Sequence, residues 1–394
     1  MWSRFTLLFI LFFLLVFSCN NTWVAEDPSV VLPPTRNAII CDSVSANIKS
    51  EWIDSIFTKL ADRHWFNGSV AYLEKGCLIY QKSFGFSNFY SKDTLNDHSA
   101  FQLASVSKMF TAMSAMILKE EGLLDYDADI REYITDFPYE GITARMLMTH
   151  RAGLSRYMSL AHDKWTNKTI PMTNDDMLEL YKKYTPDPYF RPDRGFHYCN
   201  TNYALLASVI EAITGMQYAD FVKKRIFDPL DMNDSFVYHM NGDSVVSFYL
   251  ETEVMGHNYR GWRPIRARNE YLNGVTGDKG IFVSIADIAK FDQAITKNLI
   301  VSDSSMREAF TPGSPRYWKR NDNYGFGWRI KETEDSTAFH FGWWKGFRAY
   351  YIRDNKNEKS LVVLTNKDKG PGSSIYWDIV KDTTHPLRFI EQAY

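Results

Sequence analysis

Period-two alternation occurs near both ends of this chain and encloses a long middle whose apolar residues recur at helical spacing, which narrows the possible folds sharply. Ser43 to Leu60 carries Val44, Ile48, Trp52, Ile56 and Leu60, a stripe with a spacing of four that predicts a helix. Gly68 to Tyr80 then alternates, with Glu74-Lys75-Gly76 as a hairpin turn, and Gly85-Phe86-Ser87 continues the ribbon. The helical middle begins with Leu103 to about Glu121, stopped by Gly122. Its further helices are Ile142 to Thr149, Asp175 to Lys183, Asn202 to Gly215 and Tyr218 to Ile226. Met109, Met113 and Met116 are expected in the core. Periodicity is weakest from Asn241 to about Gly274. A turn at Gly277 to Gly280, a strand at Ile281 to Val283 and an N-cap at Ser284 then introduce a helix from Ile285 to Ile295. Another short helix is expected near Ser302 to Phe310. Strands are predicted over Tyr324 to Ile330, Ala338 to Phe341, Phe347 to Arg353 and Ser360 to Leu364. Asp354 to Lys359 makes a hairpin between the last two, and Ser374 to Lys381 closes the chain as a helix.

The fold class implied is α+β. The late strands and the early hairpin form one antiparallel sheet under the two terminal helices, an α/β sandwich lobe of about 41–102 and 275–394. The remainder, about 103–274, forms an all-helical lobe, with a ligand cleft between the two.

Residues 1–18 lie outside that scheme. Arg4 precedes an apolar run from Phe5 to Phe17, and Ser18-Cys19 ends it with small residues, the pattern of a secretory signal. Val16-Phe17-Ser18-Cys19 resembles a bacterial lipoprotein cleavage box, which implies lipid on Cys19 and a place in the cell envelope, facing the periplasm or the cell surface. Residues 19–40, with Pro28, Pro33 and Pro34, read as a tether to a domain spanning 41–394. The 45 basic residues nearly balance the 47 acidic ones, with no basic block, which argues against nucleic acid as a partner. Four cysteines are too few for a disulfide scaffold, although Cys41 and Cys77 are candidates to pair. The histidines show no metal-ligand spacing, so neither metal nor other cofactor is expected.

The chemistry starts at Ser105-Val106-Ser107-Lys108. Residues three apart share a helical face, so the lysine amine can lie beside the serine hydroxyl. A desolvated lysine can lose its proton and then accept the one on serine, giving an activated nucleophile. Chance alone supplies such a pair about once in a chain of ordinary composition, so its weight comes from what accompanies it. Tyr198-Cys199-Asn200 offers a phenol for proton transfer and an amide for a substrate carbonyl or for the lysine. Tyr271-Leu272-Asn273 repeats that spacing without the same position ahead of an apolar helix. His340-Phe341-Gly342 combines a possible donor with a glycine that admits a substrate backbone. Either histidine or tyrosine alone has an ordinary structural explanation, burial in a sheet or exposure at a surface. Cys199 beside His197 is a weaker alternative nucleophile.

In this order, the three motifs resemble those of the serine beta-lactamase and penicillin-binding family, in its class C, D,D-carboxypeptidase and esterase-like branch. Met146 to Leu154 resembles the LLTHTSGL stretch of that branch, and Gly277 to Phe291 its glycine turn and helix. The resemblance runs from roughly Ser43 to Lys367. It implies an acyl-enzyme mechanism with Ser105, Lys108 and Tyr198 catalytic. It also implies an oxyanion hole from the backbone N–H groups of Ser105 and Trp343, with Asn200, His340 and Gly342 at the substrate. His340 replaces the lysine of the K-T-G triplet, Phe341 removes its hydroxyl, and Trp343-Trp344 implies a narrower, more apolar slot. Lys279 stands where a small residue is usual and has no assigned role. The implied function is a serine hydrolase of small esters or peptide-like amides, of the esterase or D-amino-acid peptidase type. Alternatives are a true beta-lactamase, a D,D-carboxypeptidase or a non-catalytic ligand-binding descendant.

Overall fold

The structure, a computed structural model, describes residues 39–241, 244–246, 254–261, 263–314, 322–331 and 337–391. Seven antiparallel strands form the central sheet: β1 (Gly68–Glu74), β2 (Cys77–Phe84), β3 (Asp322–Tyr324), β4 (Arg329–Lys331), β5 (Thr337–Trp344), β6 (Phe347–Asp354) and β7 (Lys359–Thr365). Their order is β3-β4-β5-β6-β7-β1-β2, so the N-terminal hairpin joins the C-terminal strands through the β7–β1 pair. Alternation then sends side chains to two cores. Val70, Tyr72, Tyr350, Ile352, Leu361 and Val363 meet Ile53, Phe57 and Leu60 of α1 (Ser43–Asp62) on one face. Helix α5 (Ser374–Lys381) covers the same face with Tyr376, Ile379 and Val380.

The opposite face, with Ala71, Leu73, Ala349, Tyr351, Val362 and Leu364, belongs to the larger core. That core includes α2 (Ser107–Glu120), α3 (Asn200–Thr214) and α4 (Ile285–Lys297). Each large apolar side chain so buried is worth roughly 1.5–3 kcal/mol.

Several local expectations shift. The buried face of α1 is Ser45, Lys49, Ile53, Phe57 and Leu60, which apart from the shared Leu60 lies one residue on from the predicted stripe, and Val44 and Ile48 are exposed. A buried ion pair contributes to this rotation: Lys49 Nζ lies 2.6 Å from Asp382 Oδ2, just beyond α5. The run predicted as one strand over Tyr324 to Ile330 is two strands and a turn, closed by Gly325 N–H donating to Trp328 O at 2.8 Å. The middle is not purely helical, because Phe236–Val237 pairs with Ile281–Val283, which also pairs with Phe101–Gln102. The hairpin His257–Arg260/Arg263–Arg266 lies where periodicity was weakest. Gly85 to Ser87 leaves the main ribbon, and Phe86–Asn88 pairs with Asp93–Thr94 instead.

Ile39 and Ile40, the end of the expected tether, pair with Glu391 and Ile390. The signal segment, Cys19 and the rest of the tether lie outside the described residues. Cys41, Cys77 and Cys199 form no disulfide among the described residues. Among the described residues, no helix is long and apolar enough to cross a membrane.

Candidate active site

Ser105 does not share a regular α-helix with Lys108. It occupies a 3₁₀ turn, Ala104–Val106, that leads into α2. Ala104 adopts φ +49°, a left-handed conformation that costs a non-glycine residue of order 1 kcal/mol. Of the residues from Ser99 to Leu118, Ser105 alone is not fully buried. The turn thus lifts one hydroxyl out of an otherwise closed wall.

Lys108 is completely buried, and its amine makes three polar contacts. Nζ lies 3.3 Å from Ser105 Oγ, 2.9 Å from Asn200 Oδ1 and 2.8 Å from the backbone oxygen of Asp278. The Tyr198 ring centroid is 5.2 Å from the same nitrogen. Asn200 is the first residue of α3 and Cys199 its extended N-cap, so the helix start fixes two residues of the predicted triplet directly after Tyr198. The amide oxygen of Asn200 is spent on the lysine. Ser105, Lys108, Tyr198 and Asn200 are therefore brought together.

His340 is placed differently from the expectation. It is buried, its Nε2 lies 2.8 Å from Tyr324 OH and its Nδ1 3.0 Å from Phe341 O. The ring therefore donates from Nδ1 and accepts the phenol proton at Nε2, which leaves neither nitrogen for a substrate. Burial, with Arg329 and Lys108 nearby, holds it well below the usual histidine range and uncharged. His340 instead braces Tyr324 beneath Tyr198, whose ring centroid is 6.0 Å from the imidazole.

Gly342 is where β5 meets the nucleophile turn. A Cβ there would lie 2.1 Å from Leu103 O and 3.2 Å from Ala104 Cβ, so only glycine permits this approach. That contact brings β5, with Trp343 next in it, against the turn that carries Ser105. Trp343 is 61 % exposed, whereas Trp344 is half-buried and donates from Nε1 to Asn273 Oδ1 at 3.1 Å. The two rings thus do not jointly narrow a slot. Asn273, from the repeated tyrosine–asparagine spacing, is a buried structural group that also holds Asn269. Cys199 is buried against Ser155 O and Thr201 Oγ1, and desolvation raises its thiol pKa, opposite to the needs of a thiolate nucleophile.

Three further contributors were not assigned from sequence. His150, in the Met146 to Leu154 stretch, accepts the Cys199 N–H at 3.3 Å and the Asn202 amide at 3.0 Å on Nδ1. It thereby holds the Tyr198-Cys199-Asn200 turn, and burial keeps it neutral. Arg329 of β4 stands 5.0 Å from the Tyr198 ring centroid and brings positive charge to the site that neutral His340 does not. Lys279 is buried with Asp278 and Tyr157 directly behind Lys108. Only the HTSG-like stretch gave a local sequence signal for any of these.

Comparison with known proteins agrees with this geometry. The family model described as Beta-lactamase matches residues 53–383. The chain belongs to the Beta-lactamase family. It is a serine hydrolase of that family. Penicillin-binding protein 4* of Bacillus subtilis (strain 168) is 33% identical over 333 residues, covering 82% of this chain and 72% of that protein. A D-aminopeptidase of Brucella canis is 26% identical over 306 residues, covering 76% of this chain and 56% of its own length. The structure of D-amino acid amidase from Ochrobactrum anthropi SV3, complexed with L-phenylalanine amide, superposes with a TM-score of 0.66. That match has 23% identity and covers 85% of this chain and 94% of the amidase, a likeness of fold.

Proposed function

We propose that this family member hydrolyses small esters or amides of D-amino acids and short D-peptides through an acyl-enzyme on Ser105. Lys108, in its uncharged form, takes the hydroxyl proton as Oγ bonds to the carbonyl carbon. The carbonyl oxygen gains charge under the N–H groups of Ser105 and Trp343, donors of a kind worth about 3 kcal/mol each. Tyr198 passes the proton to the leaving amine or alcohol as its bond to carbon breaks. Water then adds to the ester, the acid departs and the proton returns to Ser105. Asn200 keeps Lys108 in register, and Arg329 attracts a substrate carboxylate.

The observation that carries this reading is the 3.3 Å approach of a buried amine to the one partly open hydroxyl on the wall. The preference for D-amino-acid substrates draws on the named activities of the aminopeptidase and the amidase. The neutral, internally bonded His340 argues against a penicillin carboxylate held as a K-T-G lysine would hold it. We also propose lipid attachment at Cys19 and a place in the cell envelope, from the cleavage-box pattern.

Intact mass after incubation with a fluorophosphonate, benzylpenicillin and paired D- and L-amino-acid esters tests the assignment. One adduct at Ser105 is expected, with faster turnover of the D-esters, and S105A should remain folded yet unlabelled. Full turnover by S105A, or an adduct elsewhere, rejects the nucleophile. Preference for L-esters rejects the substrate class.

A further inference from the structure

Two lysines and one carboxylate are buried side by side behind the nucleophile. Lys108, Asp278 and Lys279 are 0 %, 0 % and 3 % exposed. Lys279 Nζ lies 3.2 Å from Asp278 Oδ1, 2.7 Å from Tyr157 OH and 3.1 Å from Val275 O. Tyr157 OH donates to the other oxygen, Asp278 Oδ2, at 3.1 Å. The carboxylate is therefore occupied on both sides, whereas Lys108 receives only the backbone oxygen of the same residue.

Burying two ammonium groups against one carboxylate leaves a net charge in a low-dielectric interior, which is costly. One amine gives up its proton at least cost. The contacts differ between the two: Lys279 is bound to the carboxylate, which offsets part of the lowering that burial imposes on it, whereas Lys108 is bound to a hydroxyl, an amide oxygen and a carbonyl. Building on the acyl-enzyme reading, we propose that Lys279 is a positioning residue that captures the Asp278 carboxylate and so leaves Lys108 as the free base for Ser105.

Other groups face Lys108 from every packed element. Tyr198, Cys199, Asn200 and Tyr203 come from the start of α3 and its approach. His150 follows the helix Ala144–Met148, and His340 lies on β5. Burial keeps both imidazoles neutral, and neither supplies a counter-charge. Glu270 adds a weaker negative charge near Lys279, and Asp278 is the carboxylate in direct contact with it. Asp278 also couples the two functions mechanically, because its side chain binds Lys279 while its carbonyl fixes Lys108.

The test is the pH dependence of fluorophosphonate labelling of Ser105, a step that forms the O–P bond and expels fluoride. In K279M the freed carboxylate favours a charged Lys108, so the acid limb should move up by a unit or more. Labelling should be about ten-fold slower at pH 7 and recover toward the wild-type rate at high pH. K279R should keep the wild-type limb. D278N, which removes the carboxylate, should move the limb to lower pH. A purely structural role for Lys279 would slow labelling equally at every pH, and that result overturns the proposal. If K279M does not fold, a D278N limb that is unmoved or raised overturns it equally. Wild-type protein unlabelled at every pH refutes the acyl-enzyme reading itself, an outcome separate from an unshifted K279M profile beside a labelled wild type.

Discussion

The catalytic geometry depends on where a side chain is missing as much as on where one is present. Lys108 reaches Ser105 from its own chain segment, but the Trp343 N–H, the proposed oxyanion donor, comes from β5, more than two hundred residues later. Gly342 makes that meeting possible by leaving the space of a side chain to the Leu103 carbonyl and the Ala104 methyl. The G342A variant must therefore push β5 away from the nucleophile turn. We expect about a 100-fold loss of Ser105 labelling, the size of effect that a displacement of about 1 Å produces. Overpacking should also cost about 1–3 kcal/mol in a urea melt. G370A is the control, because its new methyl would have nothing nearer than 3.8 Å and should leave both quantities unchanged. Equal behaviour of the two variants would remove Gly342 from the argument. The motif made this glycine visible in the sequence. It did not show that the neighbouring His340 turns inward to Tyr324, because one histidine in a strand carries no record of which phenol lies beneath it.

Helices and strands were legible wherever one face is apolar and the other is not. Ser284 accepts the Asp287 N–H as the N-cap of α4, and Gly215 in the left-handed region ends α3, both set by local chemistry. The face of α1 was not legible, since its buried stripe includes Lys49, whose ion-pair partner Asp382 lies at the far end of the chain. Nor was the site cluster around Lys279, which needs three distant segments to make sense. Long-range pairing of polar groups leaves no periodic trace. Glu211 near the end of α3 is a polar group paired more locally, across one turn between helices. Its carboxylate accepts the Tyr218 N–H at 2.8 Å, stitching α3 to the helix Tyr218–Val222, and burial raises its pKa from 4.5 to about 7. Between those values the unfolded chain ionises while the folded chain keeps its proton. Stability therefore falls as pH rises through that window and is flat above it, by roughly 1–3 kcal/mol. Glutamine can accept the same N–H without titrating, so E211Q should lack this slope in urea melts between pH 4.5 and 8. Parallel profiles for variant and wild type would place the proton elsewhere.

At the scale of the whole molecule, the sheet joins the two ends of the chain and the helical middle brings its lysine, tyrosine and asparagine to one strand of it. The first described strand, Ile39–Cys41, pairs with Phe389–Glu391, so both ends of the folded unit are fixed together beside α1 and β2. A chain leaving that point toward Cys19 has about twenty residues, including Pro28, Pro33 and Pro34. Lipidation at Cys19, as proposed, would let the enzyme search a surface layer rather than diffuse away. Metabolic labelling with palmitate should therefore mark the wild-type protein and fractionate it with membranes, and C19A should abolish both. Because Cys19 lies far in sequence from the Ser105 turn, C19A purified from the soluble fraction should label with fluorophosphonate at the wild-type rate. Wild-type protein without label would refute the anchor. Loss of Ser105 reactivity in C19A would show that the N-terminal segment contributes to folding rather than only to position.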